Sequence, residues 1–135
     1  MIYALDTNII IHLIEHRTPS VRISRTNAIK RGARFAIPPI VNYEVRRGFM
    51  LEPKINHEQA YNFMCSTCIT TEITEIVWVR AAIIYSDLKT RGIKVRNKDA
   101  DILIAAYCIE HGYTLVTANT QDFAPITGLQ VENWV

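Results

Sequence analysis

The chain has 135 residues, 49% of them hydrophobic and 21% charged. That length supports one domain, residues 1–135, with a real core, and the balance excludes a disordered or low-complexity chain. A formal net charge of +2 does not by itself mark a nucleic-acid binder, and no apolar run approaches the roughly 20 residues of a membrane span.

The charge is unevenly placed. Residues 17–34 carry Arg17, Arg22, Arg25, Lys30, Arg31 and Arg34 without one acid, and residues 89–98 carry Lys89, Arg91, Lys94, Arg96 and Lys98 without one acid. Three cysteines cannot form a paired disulfide framework. Cys65 and Cys68 make a lone CxxC that falls late in a predicted helix, with no second pair to complete a structural zinc site. Reduced, packed thiols in a cytoplasm are the expectation, and the N-terminus, which has neither a basic n-region nor a cleavage site, points the same way.

In chain order, Ile2 to Leu5 reads as a short buried strand, closed by the polar turn Asp6-Thr7-Asn8. That turn marks the start of a helix over Ile9 to Glu15. A basic helix follows over Val21 to Lys30, stopped by Gly32, and then a second strand, Arg34 to Ile37. Pro38 and Pro39 prohibit its continuation and suit a first helical turn, so Ile40 to Phe49 is the next helix. His57 to Cys68 is another, and Ile73 to Val77 is predicted as strand three. Trp78, Ala81, Ala82, Tyr85 and Leu88 recur at helical spacing up to Gly92. Asp99 to Glu110 is almost wholly apolar after its acidic start, which predicts a helix packed on a sheet, with Gly112 as its C-terminal stop. Tyr113 to Thr117 is strand four and Leu129 to Glu132 strand five. Strands alternating with helices argue for an α/β layer fold around a parallel sheet.

Carboxylates recur at one kind of place in this order. Asp6 follows strand one, Glu44 lies in the first turns of the helix after strand two, Asp99 and Asp101 open the helix before strand four, and Asp122 follows strand four. Ligands of an open parallel sheet bind outside the carboxyl ends of its strands. Clustered carboxylates repel one another unless a cation joins them, and oxygen-rich sites with room for water suit Mg²⁺ or Mn²⁺. Such ions activate water and offset charge on a phosphodiester, chemistry that needs no Ser or His nucleophile. Taken singly, each acid has a plainer reading: Asp99 and Asp101 as favourable charges at a helix start, Glu44 as a solvated partner of Arg46 or Arg47, Asp122 as a turn residue. Asp6 is hardest to dismiss, because it directly follows an apolar strand. The set is more specific than any member.

The segments YALDTNIII, IPPIVNYEVRRG and KDADILIAAYCIEHGYTLVTANTQDFAPITGLQVENW together resemble a PIN domain of the VapC toxin type, in order and over essentially the whole chain. The resemblance implies a three-layer α/β/α fold with a central, mainly parallel five-stranded sheet. It implies a Mg²⁺- or Mn²⁺-dependent endoribonuclease in which Asp6, Glu44 and Asp101 form the metal-coordinating triad and Asp122 is the fourth acid. Thr117 and Asn119 match polar positions flanking that pocket, and Thr7 and Asn8 form the polar turn beside Asp6. The family's third acid directly precedes an apolar run, which selects Asp101. Residues two apart on a helix point to nearly opposite sides, so Asp99 is expected as an N-cap or a supporting acid. Further implied are structured RNA as substrate, with tRNA the commonest target among relatives, a homodimer, and a cognate antitoxin that inserts a segment into the acidic groove. Arg46 and Arg47 are the basic residues expected nearest the site, where they would hold RNA phosphates without reading sequence.

Three rival readings differ in their residues. A haloacid-dehalogenase-like phosphatase needs a second Asp where this chain has Asn8, and a phosphate-accepting receiver domain needs an acidic pair before its central Asp strand. A catalytically silent PIN fold, acting in RNA binding or complex assembly, typically loses some of the acids, whereas this chain keeps all four.

Overall fold

The computed structural model describes residues 1–135. Four parallel strands, β1 (Ile2–Leu5), β2 (Arg34–Ala36), β3 (Thr114–Val116) and β4 (Val131–Glu132), form one sheet in the order β2-β1-β3-β4. Tyr3 pairs with Phe35 on one side and Thr114 on the other, and Leu5 pairs with Val116. Seven helices flank the sheet: α1 (Thr7–Glu15), α2 (Pro19–Lys30), α3 (Pro39–Leu51), α4 (Ile55–Thr67), α5 (Glu75–Thr90), α6 (Asp99–His111) and α7 (Thr120–Phe123). Tyr3, Ala4, Leu5, Leu115 and Val116 are all buried. Continuous burial, not alternation, is what strands covered on both faces should show.

The strand order sets the place of the site. From β1 the chain winds outward to β2, then returns past β1 to enter β3, and winds on to β4. The reversal falls between β1 and β3, and a crevice opens outside the carboxyl ends of strands at such a switch point. Asp6 follows β1 and Thr117 follows β3, so both stand at that crevice.

The α/β class and the parallel sheet agree with expectation, but the sheet has four strands, not five. The predicted strand over Ile73 to Val77 does not form: Thr74 is the N-cap of α5, and Val77 opens a buried stripe with Ala81, Ile84 and Leu88. β-branched residues lower helix propensity by only a fraction of a kcal/mol, and burial of that stripe outweighs it. What the sheet receives there is a single bridge, Ala36 with Ile69, where the amide of Ile69 donates to Phe35 O at 2.8 Å. Cys68 caps α4, at the end of the helix where the sequence puts it, and all three cysteines are free.

Helix α6 carries the densest burial, with Ile102, Ile104, Ala105, Ala106, Tyr107 and Cys108 all buried. A helix apolar around most of its circumference must run through the core, and that fixes Asp101, in its first turn, rigidly. Gly112 ends it in the left-handed region, φ 71°, as its glycine predicts. No helix is long and apolar enough to cross a membrane.

Candidate active site

Asp6 is the anchor of the site. It is 6% exposed, and its extended backbone makes it the N-cap of α1. Its Oδ1 accepts the amide of Thr7 at 2.8 Å, and its Oδ2 accepts the hydroxyl of Thr117 at 2.7 Å and the side-chain amide of Asn8 at 3.4 Å. Its own amide donates to Val116 O at 3.0 Å. One carboxylate is thereby tied to both strands of the switch point. Burial raises its pKa above the usual 3.8, the hydrogen bond from Thr117 opposes the rise, and the charge of Asp122 adds to it. Cys108 lies behind it, its thiol pushed up by burial and by the Asp6 charge.

Each polar neighbour holds a second element in place. Asn8 Oδ1 accepts the amide of Ala118 at 3.0 Å, and Thr117 Oγ1 accepts the amide of Asn119 at 3.0 Å. These bonds shape the loop from β3 into α7, which carries Asp122. Thr7 Oγ1 donates to Glu44 Oε1 at 2.8 Å, pinning the α3 acid to the start of α1.

Asp101 completes the group. Its pKa is pushed up to about 6, first by burial, then by the charges of Asp6, Asp122 and Glu44. Asp6, Asp122 and Glu44 thus lie near enough to Asp101 for their charges to reach it, and Asp122 also acts on Asp6. Lys98 opposes the rise on Asp101; the sequence marks its basic segment but does not by itself bring it to the site. The available signal is its position, immediately before the acidic first turn of α6.

Asp99 is placed elsewhere. It is the first residue of α6, not its cap, which is Lys98. It lines a groove with Ala81, Ala82, Tyr85, Ile102 and Leu103 between α5 and α6. Arg46 also turns away, donating to Asn62 Oδ1 at 2.9 Å and covering the ring of Tyr61. Arg47 stays at the rim, its Nη2 4.0 Å from Glu44 Oε2.

The donor set suits a hard divalent cation: carboxylates only, with surplus negative charge that already raises two of their pKa values. No three acids stand close enough to enclose an ion by themselves.

Residues 3–128 match the PIN domain family. The chain belongs to that family. Over 138 residues it is 30% identical to Ribonuclease VapC2 of Rickettsia felis, covering 99% of this chain and 98% of that one. It is 29% identical to Ribonuclease VapC1 of Haemophilus influenzae over 140 residues, again 99% and 98% of the two chains. Among solved structures this PIN domain is similar to VapBC2 from Rickettsia felis bound to a DNA fragment from their promoter, with a TM-score of 0.88, 27% identity and 100% of each chain covered. It is similar also to VapBC-1 from nontypeable Haemophilus influenzae, with a TM-score of 0.83, 26% identity and 99% and 98% coverage.

Proposed function

We propose that the chain is a Mg²⁺- or Mn²⁺-dependent endoribonuclease toxin of the VapC type. It cleaves structured RNA, tRNA foremost, and so inhibits translation, and a cognate antitoxin neutralises it. What supports this reading is the Asp6 carboxylate bonded at the switch point by Thr7 and Thr117, with Glu44 bonded to Thr7 beside it and Asp101 and Asp122 within reach of its charge, in a chain similar along its length to proteins named Ribonuclease VapC.

Asp6, Asp101, Glu44 and Asp122 would hold the ion. When bound, it supplies an activated water and neutralises charge building on the phosphodiester. The chain's own part is positioning. Thr117, Thr7 and Asn8 fix the Asp6 carboxylate, Thr7 fixes Glu44, and Thr117 with Asn119 shapes the loop bearing Asp122. Arg47 at the rim offers a phosphate contact; Arg46, engaged with Asn62, belongs to the flank. Asp99 supports the start of α6 and leaves metal binding to the other acids.

The antitoxin partner is read from the VapBC complexes that the chain resembles, and the homodimer from the family resemblance. Both need apolar surface, and the chain exposes it on α5 (Ile76, Val79, Ile83) and at the α3–α4 junction (Met50, Leu51, Ile55). Action in the cytoplasm is part of the reading, in keeping with three unpaired thiols.

The test is expression in a bacterium together with an RNA cleavage assay on the purified chain. Wild type should arrest growth and cleave RNA, EDTA should stop the cleavage and Mn²⁺ restore it, and Asp6→Asn or Asp101→Asn should abolish both effects. Toxicity and cleavage undiminished in both variants would overturn the catalytic assignment, and cleavage unaffected by EDTA would overturn the metal.

A further inference from the structure

We infer that Tyr43 is a stacking platform for an unpaired base of the RNA, held beside Glu44 at the acid crevice, with Arg47 as the phosphate contact next to it. This rests on the nuclease reading above and adds Tyr43, which that reading does not use.

Tyr43 precedes Glu44 in α3 and is 58% exposed. It belongs neither to the buried core nor to the partly buried shell around it, so the core makes no use of its ring. Glu44, one residue on, accepts the hydroxyl of Thr7, at the start of α1. Arg47, one turn further, spans the gap between them: its guanidinium carbon is 5.0 Å from the centre of the Tyr43 ring, and its Nη2 is 4.0 Å from Glu44 Oε2. An ion pair at that distance, with an arginine side chain 53% exposed, is weak. The guanidinium is thus free to take a phosphate oxygen while it lies on one face of the ring. The exposed remainder of the ring is left for a base.

A substrate drawn toward four carboxylates is repelled through its phosphates unless cations flank them. Arg47 stands at the Glu44 side, and Lys98 is close enough to Asp101 for its charge to act there. Stacking adds attraction that does not depend on charge. A base inside a duplex has no free face, so a nucleotide received by Tyr43 is an unpaired one, in a loop or bulge. Every base has a π-face, so the platform selects RNA structure and tolerates sequence.

The experiment uses the full chain carrying Asp101→Asn, so that RNA stays intact, with Tyr43→Ala, Tyr43→Phe or Arg47→Ala added. The probes are a labelled single-stranded RNA of about 12 nucleotides and a blunt duplex of the same sequence, followed by fluorescence anisotropy. Tyr43→Ala should weaken single-strand binding about tenfold, Tyr43→Phe should bind like its parent, and duplex binding should be the same in the parent and both Tyr43 variants. A 2-aminopurine in the strand should be quenched with Tyr43 or Phe and not with Ala. Arg47→Ala should lower the slope of log affinity against log salt by about 0.7, the value of one phosphate on a single strand. Single-strand binding unchanged by Tyr43→Ala, or equally lost in Tyr43→Phe, would overturn the platform. The nuclease reading is judged apart from this, by cleavage in the chain carrying Asp101→Asn alone, since the binding arms need no cleavage at all.

Discussion

Asp6 and Asp101 are ionisable groups held where ionisation is unfavourable, and the cost is visible in their raised pKa values. For Asp6 the cost is reduced by donors from Thr7, Asn8 and Thr117; Asp101 has no such set and is raised to about 6. The consequence for stability has a definite sign. Between its ordinary value of 3.8 and about 6, the folded chain binds a proton at Asp101 that the unfolded chain has released. Stability therefore falls as pH rises through that window, and the penalty is fully present above it. Asp101→Asn removes the charge, so the metal-free variant should be more stable than wild type at pH 7.5, by about 1–2 kcal/mol once solvent screening of this half-buried group is allowed for. The advantage should vanish near pH 4. Urea unfolding at several pH values in EDTA measures it. Adding Mn²⁺ should narrow the gap by stabilising wild type alone. A variant less stable than wild type at pH 7.5 would show that Asp101 is not under charge strain.

At the scale of elements, the residues that carry chemistry are legible because each sits at a boundary with a local signal. Asp6 follows an apolar run, Gly112 stops α6, and Pro38-Pro39 starts α3. The miss over Ile73 to Val77 has the opposite cause: the stretch is rich in β-branched residues, and only its continuation, Val77 with Ala81, Ile84 and Leu88, reveals the helical period. Helical geometry separates Asp99 from Asp101, as the structure does. Nothing local separates Arg46 from Arg47, because their partners, Asn62 and Glu44, lie in different parts of the fold. Gly112 offers a clean test of how far α6 positions the site. Its φ is 71°, and a Cβ there would meet nothing within 4 Å, so Gly112→Ala introduces conformational strain without a clash. It should cost about 1 kcal/mol of stability, read as a lower urea midpoint at unchanged slope. RNA cleavage per folded molecule should stay at the wild-type level, because the strain lies one whole helix away from Asp101.

The molecule as a whole divides its charge in a way that the net value of +2 conceals. Asp6, Glu44, Asp101 and Asp122 stand toward the carboxyl ends of the strands, while basic residues line α2 and the strand β2. Arg25 and Arg34 share a groove with Ile29, Phe35 and Cys68, and the Arg25 guanidinium carbon stands 5.7 Å from the Phe35 ring. Arg22 lies one turn before Arg25. None of these three arginines takes part in an ion pair, whereas Arg17, Arg47, Lys54, Arg80 and Arg91 all do. Neighbouring cations left without acid partners are what counterion release requires of a surface that follows a phosphate backbone. Replacing Arg22, Arg25 and Arg34 together by Ala should therefore weaken RNA binding at low salt and flatten its salt dependence, by about 0.7 in the log–log slope for each single-strand phosphate no longer neutralised. Cleavage of a fragment too short to reach from the crevice to α2 should be unchanged, since the acids and their hydrogen bonds are untouched. A slope equal to that of wild type would mean that these arginines only solvate the face. A slope reduced for long RNA but not for short would mean that the chain holds its substrate on two surfaces and cuts it at one.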